Sequence, residues 1–225
     1  MKVCAIIAAY NEEPNIAAAI RGVKAVLKPD DDVLVVDDGS VDKTSEEARK
    51  AGARVVRQEP NQGKGAAIRR GLKEATGDII LFIDGDGQDD PAEIPLLLAE
   101  MKKGADLVNG SKFIGTMKEG AISTPNYFGN RFMSGLINIL FGVKVTDSQA
   151  GYRTFRRSKL AGIELDATEY EIETEMLIKA IKNGFKIVEV PVTRDKRAAG
   201  STNFKRVRNG LRILWWILKL RFTPA

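Results

Sequence analysis

Short apolar runs alternate with segments whose apolar residues recur every three or four positions, and this rhythm fills the first half of the chain. Residues 3–8 predict a strand, and residues 12–27 a helix opened by an Asn11 cap. Residues 32–37 predict a second strand and 43–51 a helix. A third strand at 53–57 precedes a helix at 64–75 that closes near Gly77. Residues 78–84 predict a fourth strand, followed by a helix after Pro91, a residue suited to a first helical turn. Residues 106–109 predict a fifth. These strands are nearly all apolar rather than alternating, as in a parallel sheet covered by helices on both faces. After Gly110 the rhythm changes. Residues 111–125, rich in glycine and charge, predict a mobile loop. Residues 126–141 predict a helix, 151–155 a short strand, 169–183 a helix ended by Gly184, and 185–191 another strand. The second half is expected to extend the sheet with strands of mixed direction.

Composition narrows the chemistry more than the architecture. A chain of 225 residues with 44% hydrophobic and 29% charged residues is ordinary for a globular protein. With no linker or repeat, it predicts one α/β domain over residues 1–202 and a tail over 203–225. The lone Cys4 rules out an internal disulfide framework and a cysteine-rich metal site. The chain has no histidine, so any chemistry falls to carboxylates, cations or a bound ion. The apolar run at the start is too short for a signal peptide and meets acidic residues at once, which predicts a protein that is not exported. No stretch reaches the roughly 18 apolar residues of a membrane span. Charge is uneven. Residues 194–221 hold nine cations against Asp195 alone, a local +8 that leaves −3 for the rest of a chain of net +5. This argues against a nucleic-acid coat and for one local anionic partner.

In open parallel sheets, ligands bind beyond the carboxyl ends of the strands. Three polar clusters fall there: Ala8-Ala9-Tyr10-Asn11-Glu12-Glu13, Asp37-Asp38-Gly39-Ser40 and Asp84-Gly85-Asp86-Gly87-Gln88. No Gly-x-Gly-x-x-Gly follows the first strand and no Gly-Lys-Ser/Thr occurs, which argues against dinucleotide and P-loop folds. Asp84 and Asp86, two apart past a buried strand, can hold a hard cation against phosphate oxygens, and Gly85 would let the backbone approach a ligand. Either acidic cluster alone also reads as a plain turn. Their arrival at three strand ends of one sheet is what favours a site.

These residues resemble a known family. Residues 8–12, Val36-Asp37-Asp38-Gly39-Ser40-x-Asp42-x-Thr44, Asn61-x-Gly63-Lys64-Gly65, Gly77-Asp78 and Asp84-x-Asp86-x-Gln88 look like the inverting glycosyltransferases of family 2, which have the GT-A fold. Gly110-Ser111-Lys112-Phe113, Gln149-Ala150-Gly151-Tyr152-Arg153, Glu171-x-Glu173-x-Glu175 and Glu189-Val190-Pro191-Val192 are similar to the branch that makes polyprenyl-phosphate (dolichol-phosphate) mannose and glucose. The resemblance implies that Ala8, Tyr10, Glu12, Val35 and Asp37 line a nucleoside pocket, Asp37 accepting from a base N–H. It implies that Asp84, Gly85, Asp86 and Gln88 hold Mg²⁺ or Mn²⁺ and the diphosphate, with Asp84, Asp86 and Gln88 as ligands. Lys112 would lie near the reacting phosphates, Arg131 and Ser134 would receive the acceptor phosphate, and Arg197 would close a loop over the donor. Three positions depart from the family. Ala8 stands for a proline, Lys112 for an arginine, and Asn203 for the lysine of an Arg-x-x-Gly-x-Ser-Lys pattern begun by Arg197, with Lys205 near enough to substitute. The change at Lys112 keeps charge and loses a bidentate fork.

Glu171, Glu173 and Glu175 open a predicted helix, where carboxylates suit the dipole. That structural role suits Glu171, while Glu173 is free to face an acceptor. Arg131 reads equally as a solvated helix charge. From Asn203 the tail is amphipathic: Phe204, Val207, Leu211, Leu214, Trp215, Leu218 and Phe222 share one face beside Lys205, Arg208, Arg212 and Lys219, a pattern for a bilayer interface. Ile213, Ile217 and Leu220 widen it, and a helix packed on its own domain is the alternative. The expected function is transfer of a hexose, with inversion, from a nucleotide diphosphate sugar of the GDP-mannose or UDP-glucose type to a polyprenyl phosphate, peripheral on the cytoplasmic face of a membrane. The alternatives are a transferase acting on a sugar hydroxyl or small polar acceptor, and a non-catalytic membrane scaffold of the same fold. A lipid phosphate is already anionic and needs no strong base; an alcohol acceptor would need one of the glutamates. Residues 111–125 and 194–202 are expected to order when donor binds.

Overall fold

The computed structural model describes residues 1–200 and 205–223. The first half alternates as β1 (Val3–Ala9), α1 (Ile16–Val26), β2 (Asp32–Asp37), α2 (Thr44–Lys50), β3 (Arg54–Arg57), α3 (Lys64–Glu74) and β4 (Ile79–Phe82). A 3-10 turn (Pro91–Glu93) then runs into α4 (Ile94–Lys102). The second half holds β5 (Leu107–Met117), α5 (Thr124–Phe141), β6 (Arg153–Arg156), α6 (Arg157–Leu160), α7 (Ile172–Lys182), β7 (Ile187–Arg194) and α8 (Arg206–Phe222). They build one seven-stranded sheet in the order β3-β2-β1-β4-β6-β5-β7. β1 to β4 pair in parallel, β6 runs antiparallel between β4 and β5, and β7 pairs parallel with β5. The expected α/β architecture, mainly parallel at its centre and mixed at one side, is therefore present.

Side chains alternate across β1 because successive residues of a strand face opposite ways. Cys4 and Ile6 join the core under α3, α7 and α8, while Ala5 and Ile7 join the core under α1 and α4. Helices thus cover both faces, and the polar strand ends remain for ligands.

Two local expectations are corrected. Asn11 does not cap α1. It sits at φ 55°, its N–H donates to Ser40 Oγ (2.9 Å), and its Oδ1 accepts from Val41 N–H (2.9 Å). Asparagine tolerates this left-handed conformation. Asn11 thereby ties the first polar cluster to the second, and the helix begins only at Ile16. Residues 111–117 are not loop but the far half of β5, paired onward to Thr193 and Arg194 past an irregularity. Gly115, which weakens the strand pattern in sequence, is needed there: a Cβ would fall 2.1 Å from the Val192 carbonyl oxygen.

α8 divides its apolar residues between two faces. Ile213, Trp216, Ile217 and Leu220 are buried in the core shared with α7, whereas Val207, Leu211, Trp215, Leu218 and Phe222 are exposed. Phe204, expected on the same stripe, lies outside the described residues, as do Ser201, Thr202 and Asn203. Arg212 anchors the helix by donating to Glu171 from Nη2 (2.5 Å) and Nε (3.2 Å). Burial would raise the Glu171 carboxyl, but the hydrogen bond and charge of Arg212 together with backbone N–H donors outweigh it and hold the group below its ordinary value. Glu171 is 1% exposed. Arg212→Met should therefore lower the melting temperature by about 5 °C at pH 7, for a buried carboxylate that keeps its backbone donors but loses its charged one at about 2 kcal/mol. A depressed carboxyl contributes stability above its unfolded pKa and loses it as pH falls through the folded one. The gap between variant and wild type should thus close toward pH 3, which thermal melts across pH would check.

Candidate active site

Strand order changes direction beside β1, with β2 on one side and β4 on the other. Such a switch opens a crevice at the strands' carboxyl ends. A cavity of about 850 Å³ lies there and runs on to the start of α5 and α8. Ala8 at the end of β1 and Tyr10 and Glu12 after it line it, together with Asp38 after β2 and Lys64 at the start of α3.

At the nucleoside end, the expected residues separate. Val35 is wholly buried within β2. Asp37 is also buried and does not line the cavity, its Oδ1 accepting from Ser40 N–H (2.8 Å) and its Oδ2 from Ser45 Oγ and Arg57 Nη1. It pins the loop after β2. Asp38, which lines the cavity, accepts from Gln62 N–H and Gly63 N–H, both at 2.8 Å, and so fixes the turn into α3.

The acidic centre follows β4. Asp84, Gly85, Asp86, Gln88 and Asp89 all line the cavity. Gly85 has its missing side chain on the core side, where a Cβ would meet Ile7 (3.1 Å) and Ile16 (3.2 Å). Three cations from distant segments converge here. Lys64 Nζ bridges Asp84 Oδ1 (2.8 Å) and Glu173 Oε1 (2.7 Å). Arg194, at the end of β7, donates to Asp89 Oδ1 (2.5 Å), Gln88 Oε1 (3.0 Å) and Asp84 Oδ2 (3.4 Å). Arg197 reaches Asp86 Oδ2 (3.1 Å) and Glu12. Gln88 in turn donates to the Asp195 carbonyl (2.8 Å), clamping the segment after β7 over the site.

Burial would raise the Asp84 carboxyl, but Lys64 and Arg194 hold it well below the ordinary carboxylate range. Asp86 is pushed up to about 6, first by burial and then by the Asp84 charge. Burial also raises Asp89. The pKa values of two carboxylates two residues apart are thus displaced in opposite directions, which fits a charge-poised site.

A divalent ion suits this donor set. Asp84 Oδ2, Asp86 Oδ2 and Gln88 Oε1 are hard oxygen donors that gather around one nitrogen, Arg194 Nη2, at 3.4, 4.0 and 3.0 Å. Among the described residues no group of three or more acidic, histidine or cysteine side chains forms a ready cage. Mg²⁺ and Mn²⁺ sites that share their ions with substrate phosphates need only one or two carboxylates.

The acceptor side comes from the second half. Lys112 Nζ pairs with Asp147 Oδ2 (2.6 Å), and both residues line the cavity with Glu173. Gly151 lies against the acidic centre, where a Cβ would stand 3.0 Å from Asp84 Oδ2 and crowd that carboxylate. Arg131 is exposed on α5, its guanidinium 5.9 Å from the Phe113 ring, and does not line the cavity. Ser134 is buried, donating to Ser148 Oγ (3.1 Å) and accepting from Ser148 N–H (3.0 Å), so it holds the loop before β6. Glu175 is buried, accepting from Ala167 N–H (2.9 Å) and pairing with Lys179 (2.8 Å). The centre therefore combines Glu12, Asp84, Asp86, Gln88, Lys112, Glu173 and Arg197, all expected from sequence. Lys64, Asp89, Asp147 and Arg194 join them without an expected role. Lys64 had a signal in the Asn61-x-Gly63-Lys64-Gly65 turn; Arg194 had none beyond its place in the cation run.

Comparison with known proteins gives a consistent picture. A family model described as "Glycosyl transferase family 2" matches residues 4–163. Glycosyltransferase AglJ of Haloferax volcanii is 35% identical over 210 residues, covering 92% of this chain and 68% of that protein. Dolichol-phosphate mannosyltransferase of Pyrococcus furiosus is 31% identical over 232 residues, and the match spans 96% of this chain but only 64% of the relative. Glucosyl-3-phosphoglycerate synthase of Mycobacterium tuberculosis, solved with phosphoglyceric acid, superposes with a TM-score of 0.81 at 24% identity, over 100% of this chain and 81% of that one. It has also been solved with Mn²⁺, uridine diphosphate and its product. At this identity the likeness shows the fold.

Proposed function

The chain belongs to glycosyl transferase family 2, and from that premise we propose that it moves a hexose from a nucleotide diphosphate sugar to a polyprenyl phosphate at a membrane surface. One observation carries the acceptor class. The cavity leads from the Asp84 and Asp86 carboxylates to a groove between α5 and α8, lined by Gly129, Met133, Gly210 and Ile213. Both helices also expose large apolar side chains, Phe128, Phe132 and Ile139 on α5 and the Val207-to-Phe222 stripe on α8. Arg206 and Arg208 line the groove with them, offering charge to a phosphate and apolar surface to its chain. Among the described residues no helix is long and apolar enough to cross a membrane. The helix pair would rest in the interface on the cytoplasmic face, where nucleotide sugars and lipid phosphates meet.

In this reading the first two clusters seat the nucleoside, with Tyr10 and Asp38 as its walls. Asp84, Asp86 and Gln88 hold Mg²⁺ or Mn²⁺, which when bound offsets charge on the departing diphosphate. Lys64 keeps Asp84 ionised and orients Glu173 toward the acceptor. Lys112, steered by Asp147, is placed to receive an anionic phosphate. An oxygen of the acceptor phosphate attacks the anomeric carbon, the bond from that carbon to the diphosphate oxygen breaks, and the sugar inverts. No proton has to be removed from the nucleophile, which suits a chain without histidine. The donor base and sugar follow from assay. Purified protein with Mn²⁺ and either GDP-mannose or UDP-glucose should transfer label to a short prenyl phosphate extractable into organic solvent. Transfer to free sugars or phosphoglycerate, with none to prenyl phosphate, would replace this acceptor class.

A further inference from the structure

We propose that Arg194 occupies the metal's place in the metal-free protein, so that the acidic centre takes up a divalent ion only together with a diphosphate that receives the displaced arginine. The inference rests on reading Asp84, Asp86 and Gln88 as the metal's ligands. All three face the same guanidinium nitrogen. Arg194 Nη2 is 3.0 Å from Gln88 Oε1, 3.4 Å from Asp84 Oδ2 and 4.0 Å from Asp86 Oδ2, while Nη1 bonds Asp89 at 2.5 Å. The side chain is only 19% exposed. Gln88 Oε1 and Asp84 Oδ2 are therefore already engaged by a fixed cation, and Asp86 Oδ2 faces it.

Backbone geometry delivers this arginine. Arg194 is the last residue of β7, paired with Met117 at the end of β5 and bridged to Asp89. An ion entering alone would have to displace Nη2 from Asp84 and Gln88, leaving a buried guanidinium held by Asp89 alone, a costly state for a charge removed from water. An ion entering with a diphosphate does not leave it so, because a planar guanidinium is matched to phosphate oxygens and can hold two at once. Arg194 then serves as a positioning residue in both states, first for the carboxylates and then for the leaving group.

Coupling between two ligands is reciprocal and typically spans about 5- to 150-fold. Mn²⁺ binding to the full-length protein, followed by the electron paramagnetic resonance of the free ion, should be weak alone and strengthen by about that factor with UDP or GDP. In Arg194→Gln the affinity for Mn²⁺ alone should rise about tenfold, nucleotide binding in the presence of Mn²⁺ should weaken, and the coupling should shrink toward one. Melting temperature gives a second readout: Mn²⁺ alone should raise it in Arg194→Gln and leave wild type nearly unchanged. Mn²⁺ binding alone that is unchanged or weaker in the variant would overturn the proposal, because an arginine with a purely structural role lowers metal and nucleotide affinity together. If Arg194→Gln does not fold, Arg194→Lys decides. It keeps the charge without the fork, and its affinity for Mn²⁺ alone should rise severalfold; no rise refutes the idea. If wild type binds no Mn²⁺ even with nucleotide, the metal reading of Asp84 and Asp86 fails first and takes this inference with it.

Discussion

Asp86→Asn is expected to lower turnover by about a thousandfold while leaving the fold intact. Metal stabilisation of a developing charge contributes several kcal/mol, and each 1.4 kcal/mol is about tenfold in rate. Asp86 stands past the end of β4, where it accepts from Gln88 N–H (3.1 Å) and pairs with Arg197. An amide keeps the shape and loses the charge. The folding side of the prediction has the opposite sign from that of most buried acids. Burial, and then the Asp84 charge, push the Asp86 carboxyl up to about 6, above its unfolded value. A raised carboxyl contributes stability at low pH and loses it as pH rises through the folded pKa. In metal-free buffer the ionised wild-type group thus weighs against folding above about pH 6, and Asn escapes that cost. The variant should melt at or above the wild-type temperature at pH 7.5 and lose that advantage near pH 4. Paired melts in EDTA and steady-state rates with Mn²⁺ check both halves. Near-normal turnover in the folded variant would remove Asp86 from the metal site.

The sequence made the sheet legible because its strands are buried on both faces and read as apolar runs with turns between them. β2 falls on residues 32–37 as expected, since nothing polar interrupts it. The sequence pattern ends β5 at Asn109, whereas the strand runs to Met117, because a strand that leaves the core looks like a loop. Its outer half exposes Ile114, and Gly115 marks a close approach to Val192 that only the partner strand reveals. The acidic centre and Arg197 were visible through spacing and resemblance, but the other two cations that complete it were not. Lys64 and Arg194 lie 20 and 110 residues from Asp84 along the chain, and no local pattern predicts that they meet it. Asp37 and Ser134 show the converse. They have the right chemistry in the right motif, yet their side chains are consumed in holding the loops on which cavity residues stand.

The tail was legible as amphipathic, but its helical wheel carries two apolar faces, and periodicity alone does not say which one the domain covers. Burial of Ile213, Trp216, Ile217 and Leu220 assigns the inner face and leaves Val207, Leu211, Trp215, Leu218 and Phe222 outside. The domain packing and the interfacial role, set against each other as alternatives, are thereby made compatible on one helix.

Replacing Leu211, Trp215 and Leu218 together by Ser should abolish vesicle binding and spare the fold. These side chains are 64%, 56% and 44% exposed, so their exposed surface has little to lose on truncation in water. Stability should shift by roughly 0.5 kcal/mol or less per site. At a bilayer interface the same side chains would bury what they now expose, on the order of 1 kcal/mol each after scaling full burial by exposure. Three lost anchors then correspond to about two orders of magnitude in partitioning. Arg208, Lys219 and Arg221 should add about 1 kcal/mol each on anionic lipid, a contribution that fades with salt. Co-sedimentation with phosphatidylglycerol vesicles at low and high salt separates the two parts. Activity provides the sharper reading, because the triple variant should retain transfer to a short soluble prenyl phosphate and lose it for a long-chain acceptor held in vesicles. Ile213→Ser, on the inner face, should do the reverse: lower the melting temperature and weaken both activities alike. If the triple variant still binds vesicles and still uses the long acceptor, the exposed stripe has no membrane role, and the groove between α5 and α8 must take its acceptor from solution.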